Sequence, residues 1–576
     1  MRLSNFRRLN TQTHMTISTL DLVVIAIYLI GITGIGIWAG YRKNSTSSEY
    51  FLAGKSLGWF TIGGALFASN ISTIHLVGLA AAGADVGLVM GNFEWMASFC
   101  LIALALFFAP FYFRSGISTL PEFLERRYSP SARTFLAAIA IFGALLLHIG
   151  ISLFAGAKLF EAFLGVPILW SIVLISLVTV IYTVLGGLKA VVVTETIQTF
   201  LLLGGAVLIT VLGIQYLPKV GVNSLADFQG QVGSDQLSMI HPIRDTAGNL
   251  NPYSWLAILL GYPVLGVWYW CSDQTIVQRV LGARTEYDGQ RGALFAGFLK
   301  ILPVFLMVFP GVIALVLVKN GAISLGTLAD GSTDFNSTLP NLINLLIPEG
   351  LKGLLAAGLL AALMSTIAAA LNSCATLISV DIVKRLKPDM SDQKEVRIGR
   401  ISAGVVMVLA MLWSTQGDQF ANIFEAINKI PMIFAPAVTA VLVLGVFWRR
   451  GTNEAALTTF AVGCFVGLVY FIVDMKAVGA VLLGGAPEGF SGLVTDPVHG
   501  LGIPFMIVGP ILCALCVVTY VGVSFATPPP PAHQLENACW GSPAKALQGR
   551  LAGWSDPRSV ALILFTLMVV LYLFLG

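Results

Sequence analysis

Charge is scarce in this chain: Asp, Glu, Lys and Arg together make up only 11% of 576 residues, less than half the share usual in soluble domains. Hydrophobic residues reach 56%, more apolar surface than a soluble protein can hide in its own volume, so lipid is the expected solvent. Cysteine is sparse as well. The seven are scattered, and the one CxxC, Cys513 and Cys516, falls inside an apolar block, where core packing is the plain reading and a redox or zinc pair is not. Period-2 alternation is missing, which argues against a β-barrel. Residues 1–19 are polar and lack an apolar stretch, so they do not read as a cleaved signal peptide. No nucleophile–base pair, metal cluster or phosphate loop stands out. Ser365-Thr366 has no histidine nearby in sequence, and Gly186-Gly187 reads as a helix-end break, so the chain is not expected to be an enzyme. A net charge of +4 says little about partners, because in such a chain the basic residues mostly set topology, and no nucleic-acid partner is expected.

What the chain does hold is long apolar blocks, with 59 glycines and 25 prolines that suit closely packed, locally broken helices. Fourteen blocks are long enough to span a bilayer. They lie near 20–41, 58–83, 91–114, 132–157, 167–185, 190–217, 254–275, 292–319, 350–380, 399–415, 422–448, 453–473, 503–526 and 558–576. The predicted fold is an all-α polytopic membrane protein of about 14 transmembrane helices. A polar tail (1–19) precedes a leading helix and loop (20–57), a core (58–448, in halves 58–217 and 254–448) and trailing helices (449–576). A linker near 527–557 contains Pro528 to Pro531 and reads as stiff. Most Lys and Arg, among them Arg126, Arg127, Arg133, Lys384, Arg385 and Lys387, fall on one side if the loop after the first block is cytoplasmic. Both termini are then external, in a plasma (inner) membrane. Arg2, Arg7 and Arg8 break the rule, and a translation start at Met15 would remove the violation.

Two blocks are poor membrane helices. Block 58–83 carries Gly63-Gly64 and then the polar run Ser69-Asn70-Ile71-Ser72-Thr73, and block 254–275 carries Gly261, Pro263 and Gly266 just before Trp268-Tyr269-Trp270. As second and seventh blocks, each opens a five-helix unit, and five being odd, the second unit runs inverted. Paired interruptions at matching positions of two inverted halves point to a transporter's central site; ordinary glycine kinks are the plainer alternative. Glu94, His75, His148, Glu195, Asp273 and Lys300 all lie in or beside apolar blocks, where a charge is costly unless paired. Glu94 and Lys300 are one acid and one base at mid-membrane depth, either a hydrogen-bonding pair for a neutral ligand or a structural ion pair. A broken helix exposes carbonyls, and Ser365-Thr366 could complete a shell of hard oxygens around a sodium ion or bond back to their own helix.

Several stretches together resemble the solute:sodium symporter family, and within it the sodium/glucose cotransporters. They are Tyr50-Phe51-Leu52-Ala53-Gly54-Lys55-Ser56, Ala68-Ser69-Asn70-Ile71-Ser72, Phe93-Glu94-Trp95-Met96, Leu120-Pro121-Glu122-Phe123-Leu124-Glu125-Arg126-Arg127, Gly186-Gly187-Leu188, Trp268-Tyr269-Trp270-Cys271-Ser272-Asp273-Gln274, Val277-Gln278-Arg279 and Leu371-Asn372-Ser373. They run in order from about residue 20 to 450. The resemblance implies a five-plus-five inverted-repeat core with two broken helices. It also implies a sodium site at Ala68, Ile71, Ala362, Ser365 and Thr366, and sugar contacts at Asn70, His75, Glu94, Tyr269, Trp270, Lys300 and Asn428. Asn428 stands where a glutamine is usual, Gly266 offers no side chain, and Ala97 lacks a hydroxyl found in some relatives. Glu195, Ala368 and Ala369 match a second sodium site of two-ion relatives, with two alanines in place of hydroxyl residues. The expected activity is sodium-coupled uptake of an uncharged, glucose- or galactose-like hexose by alternating access, with sodium as coupling ion and no organic cofactor. A symporter for inositol or another small polar solute, and a sugar sensor that binds without transporting, remain open.

Overall fold

The computed structural model describes residues 18–41, 46–245, 248, 250–327, 332–415, 429–474, 505–536, 538–540, 542–548 and 551–576. Met15 and residues 422–428 of block 422–448 lie outside these residues. Eleven described helices are long and apolar enough to cross a membrane, twelve if one sharply bent pair counts as a single span. In chain order these and the helices packed among them are α1 (Thr19–Tyr41), α2 (Trp59–Asn70), α3 (Thr73–Asp85), α4 (Leu88–Arg114), α5 (Leu120–Arg127), α6 (Pro130–Glu161), α7 (Ile168–Tyr216) and α8 (Trp255–Ser272). Then follow α9 (Gln274–Leu281), α10 (Glu286–Lys319), α11 (Leu351–Leu386), α12 (Asp392–Ser414), α13 (Ala435–Phe447), α14 (Asn453–Asp474), α15 (Phe505–Ala526) and α16 (Pro557–Leu575).

Burial sorts them. The apolar window of α11 is 94% buried, whereas those of α1 and α16 are 17% buried, so α11 is the central pillar and the other two present most of their surface to lipid. Helix α11 packs on α1, α2, α6, α7 and α12. The blocks 167–185 and 190–217 form the two arms of α7, joined at Gly187, whose backbone is left-handed (φ 60°, ψ −161°). A Cβ there would stand 2.6 Å from the Tyr50 carbonyl oxygen, so both the turn and the approach require glycine.

Helix α2 stops at Ile71, where the backbone turns extended through Ser72 before α3 begins. The two arms are bent by 62°. Gly63 and Gly64 lie within the regular part of α2; the polar run makes the break. In the second case the interruption predicted from Gly261, Pro263 and Gly266 lies further along. Helix α8 continues through Pro263 and closes in a π-turn over Trp268–Ser272, with the Asp273 amide bonded to the Trp268 carbonyl at 3.0 Å. Asp273 is then extended (φ −70°, ψ 125°) and caps α9. A proline inside a helix removes one donor without ending it where neighbours hold the helix. Gly261 serves packing, since a Cβ there would lie 2.1 Å from the Met506 carbonyl oxygen on α15.

The polar loops carry small elements of their own. Residues 320–349 hold an antiparallel pair, β1 (Gly326–Thr327) with β2 (Thr333–Asp334), and a short helix, Thr338–Leu346. The segment after the prolines folds back onto the core instead of spanning free space. Trp540 donates its amide to the Val446 carbonyl and its indole N–H to the Phe107 carbonyl, each at 2.8 Å. All seven cysteines are free, Cys513 and Cys516 included.

Candidate functional site

Ending α2 inside the protein leaves its last carbonyls without helical donors. Helix α11 answers with two adjacent hydroxyls. Ser365 Oγ lies 2.8 Å from the Ala68 carbonyl and 2.8 Å from that of Ala362, while Thr366 Oγ1 lies 3.2 Å from the Ser69 carbonyl and 3.2 Å from that of Ala362. Each hydroxyl has one proton and faces two acceptors. Buried oxygen lone pairs therefore outnumber the protons available to them, which is the environment a hard cation suits. Of the residues expected to hold sodium, Ala68, Ala362, Ser365 and Thr366 meet at this point. Ile71 is where α2 ends. The Ser69 carbonyl beside Thr366 is not among the expected oxygens.

Glu195 on α7 is engaged elsewhere. Arg279 grips it with two bonds, Nη2 to Oε1 at 2.7 Å and Nε to Oε2 at 3.1 Å, and Ser69 Oγ donates to Oε1 at 2.9 Å. Both partners of this ion pair are fully buried. Ala368 and Ala369, just beyond the hydroxyl pair on α11, are buried too.

Beside the same break lies a cavity of about 150 Å³, well below the roughly 300 Å³ at which drug-sized sites begin. Asn70, His75, Glu94, Tyr269 and Trp270 line it, as do Ser69 and Thr366 from the oxygen cluster, so one break borders both. Lys300 sits behind this wall. Its ammonium lies 2.5 Å from Glu94 Oε2, donates to Asn70 Oδ1, and rests 5.4 Å from the Trp270 ring centroid and 5.7 Å from that of Phe67. Glu94 is 2% exposed and Lys300 1%, so neither charge could persist here alone. The Ser72 amide points at His75 Nδ1 from 3.3 Å. A backbone N–H only donates, so Nδ1 accepts and the ring proton of the neutral form resides on Nε2. Tyr269 and Trp270 stand edge to face at 5.0 Å, and the Trp270 indole N–H donates to the Tyr262 hydroxyl at 3.4 Å.

Residues 50–463 match the model of the Sodium:solute symporter family. The chain belongs to that family. It is a sodium-coupled solute symporter, a multi-pass membrane protein. It is 35% identical to sodium/glucose cotransporter 2 of Rattus norvegicus over 486 residues, covering 79% of this chain and 72% of the relative. It is 31% identical to sodium/myo-inositol cotransporter 2 of Mus musculus over 541 residues, covering 90% and 79%. In fold it is similar to an outward-open, sodium-coupled sialic acid symporter, with a TM-score of 0.71 at 21% identity over 89% of this chain and 99% of that one.

Within this symporter, five of the seven residues expected to contact solute line one cavity, and Lys300 braces two of them from behind. Asn428 lies outside the described residues. Sequence reasoning misses the apolar part of the wall, notably Phe93, Leu265 and Trp268, because an aromatic or leucine in an apolar block carries no signal of its own. It also misses the pairing of His148 with Asp273, Nε2 to Oδ2 at 3.1 Å, which joins residues 125 positions apart.

Proposed function

We propose that this symporter couples sodium entry to the uptake of an uncharged hexose, glucose- or galactose-like, across the plasma membrane by alternating access. In this reading the helices form a five-plus-five inverted-repeat core within a chain of about fourteen spans, α2–α3 and α8–α9 being the two broken helices and both termini external. Sodium takes the oxygens of Ala68, Ile71, Ala362, Ser365 and Thr366. The solute takes the cavity of Asn70, His75, Glu94, Tyr269 and Trp270, with Lys300 behind it and Asn428 completing the set.

The observation that carries the reading is the compensated charge at the cavity. Glu94 presents a carboxylate that Lys300 neutralises at 2.5 Å. The wall thus offers strong hydrogen bonds without a net field, which favours a neutral polyol over a carboxylate solute. Tyr269 and Trp270 add apolar ring faces of the kind that cover the C–H face of a pyranose. Myo-inositol is a second reading, because a relative named for it matches at 31% identity, close to that of glucose-named relatives, and a cyclitol displays a similar ring of hydroxyls. Counterflow of labelled glucose, galactose and myo-inositol into proteoliposomes, with sodium and with potassium instead, tests both. Sodium-dependent glucose counterflow supports the proposal, and inositol counterflow alone replaces the substrate. Sodium-dependent binding without counterflow identifies a sensor.

A further inference from the structure

His148 lies on α6 within a π-helical stretch, Ala144–Ile151, and its ring forms part of the cavity wall. π-turns displace side chains from regular helical positions and recur at functional sites. The imidazole is 5.8 Å from the Tyr269 ring, centroid to centroid, and its Nε2 is 3.1 Å from Asp273 Oδ2. Asp273 is committed on its other oxygen, where Oδ1 accepts the Thr275 amide at 2.7 Å and so caps α9. A carboxylate capping a helix in this way only accepts. Nε2 of a neutral His148 must then carry the proton, and Nδ1, which has no hydrogen-bond partner among the described residues, is left as a lone-pair acceptor on a residue that lines the cavity.

We infer that His148 is a further solute-contacting residue that accepts a hydrogen bond from one solute hydroxyl through Nδ1, and that Asp273 is the positioning residue that fixes this tautomer. This rests on the reading of the cavity as a polyol site and adds to it a specific preference. His75, its Nδ1 occupied by the Ser72 amide, offers Nε2–H as a donor. His148 offers the opposite, so the cavity reads hydroxyls with one histidine of each hydrogen-bonding sense. The pair also joins the cavity wall on α6 to the extended residue that forms the α8–α9 break. A solute hydroxyl on His148 would thereby be tied to the cap of α9.

The test uses the full-length protein in proteoliposomes. Competition against labelled D-glucose, and in parallel against labelled myo-inositol, is measured with single-position deoxy and fluoro analogues. In the wild type, one position loses about fivefold or more in affinity with either replacement, since neither hydrogen nor fluorine donates. In His148→Phe that penalty disappears and the penalties at other positions remain. In Asp273→Asn the amide oxygen still caps α9, because asparagine is an equally good cap, so the amide NH₂ faces His148. The ring proton is then driven to Nδ1, and the fluoro analogue at that one position regains affinity while the deoxy analogue does not. An unchanged analogue profile in His148→Phe, or in His148→Gln should the first variant not fold, overturns the role of His148. An Asp273→Asn profile identical to the wild type overturns the tautomer argument. A wild type that binds neither glucose nor inositol overturns the polyol reading itself.

Discussion

Lys300 and Glu94 meet at 2.5 Å, both almost fully buried, and each is tolerable there only because of the other. Removing one partner of a buried ion pair typically costs about 3–5 kcal/mol because the remaining charge is stranded. On the proposed function, Glu94→Gln and Lys300→Ala are each expected to abolish sugar binding while sodium binding persists. Titration of both ligands on purified variants checks this, and wild-type sugar affinity in either folded variant would make the pair purely structural. Ser365→Ala removes a hydroxyl that faces the Ala68 and Ala362 carbonyls without opening a large cavity. If that oxygen is a sodium ligand, the half-saturating sodium concentration should rise roughly ten- to a hundredfold, the worth of a hydrogen bond to a charged group. Uptake with an unaltered sodium dependence would remove Ser365 from the site. These residues are legible in the sequence because a carboxylate, an ammonium or a hydroxyl pair stands out against an apolar background. Phe93 and Tyr262 are not, being two of many aromatics, and the bond from His148 to Asp273 is created only when α6 meets the end of α8.

At the scale of elements, the hydropathy pattern locates the apolar blocks well and the breaks unevenly. The first break is legible because polar residues crowd Ser69–Thr73. The second is misplaced because glycine and proline mark close packing as readily as interruption, and only tertiary contacts tell the two apart. The join of two blocks into α7 depends on a single glycine. Helices α3 and α10 show how tightly glycine brings elements together. A Cβ on Gly311 would lie 2.0 Å from the Ala80 carbonyl oxygen, and one on Gly83 would lie 2.1 Å from that of Val308. Such backbone contact is how helices bind each other where lipid supplies no hydrophobic drive. Gly311→Leu is therefore expected to lower the melting temperature of the detergent-solubilised protein markedly. Gly31→Ala on α1 meets nothing within 4 Å and should be neutral or slightly stabilising, alanine being the better helix former. Equal melting temperatures for the two variants would mean that the crossing of α3 and α10 relaxes freely.

For the whole molecule the decisive quantity is how many sodium ions move with each solute, because it limits accumulation. Among the described residues an oxygen cluster is assembled at the α2 break against Ser365 and Thr366. The residues matching a second site are poorly placed to form another. Both Glu195 oxygens receive bonds from Arg279, one of them a further bond from Ser69, and Ala368 and Ala369 bring no side-chain oxygen. A cation at Glu195 would have to displace or stand beside a buried guanidinium, which repels it. We therefore expect one sodium per solute. One charge crossing 100 mV gains about 2.3 kcal/mol and a tenfold sodium gradient adds about 1.4 kcal/mol, so accumulation of a neutral solute is capped at about 500-fold. A second ion would square that limit. Reversal potentials measured across opposing sodium and sugar gradients separate the two cases. A slope that requires two sodium ions per sugar would show that Arg279 releases Glu195 during the cycle, and Arg279→Gln should then change the slope where in a one-ion carrier it leaves it alone.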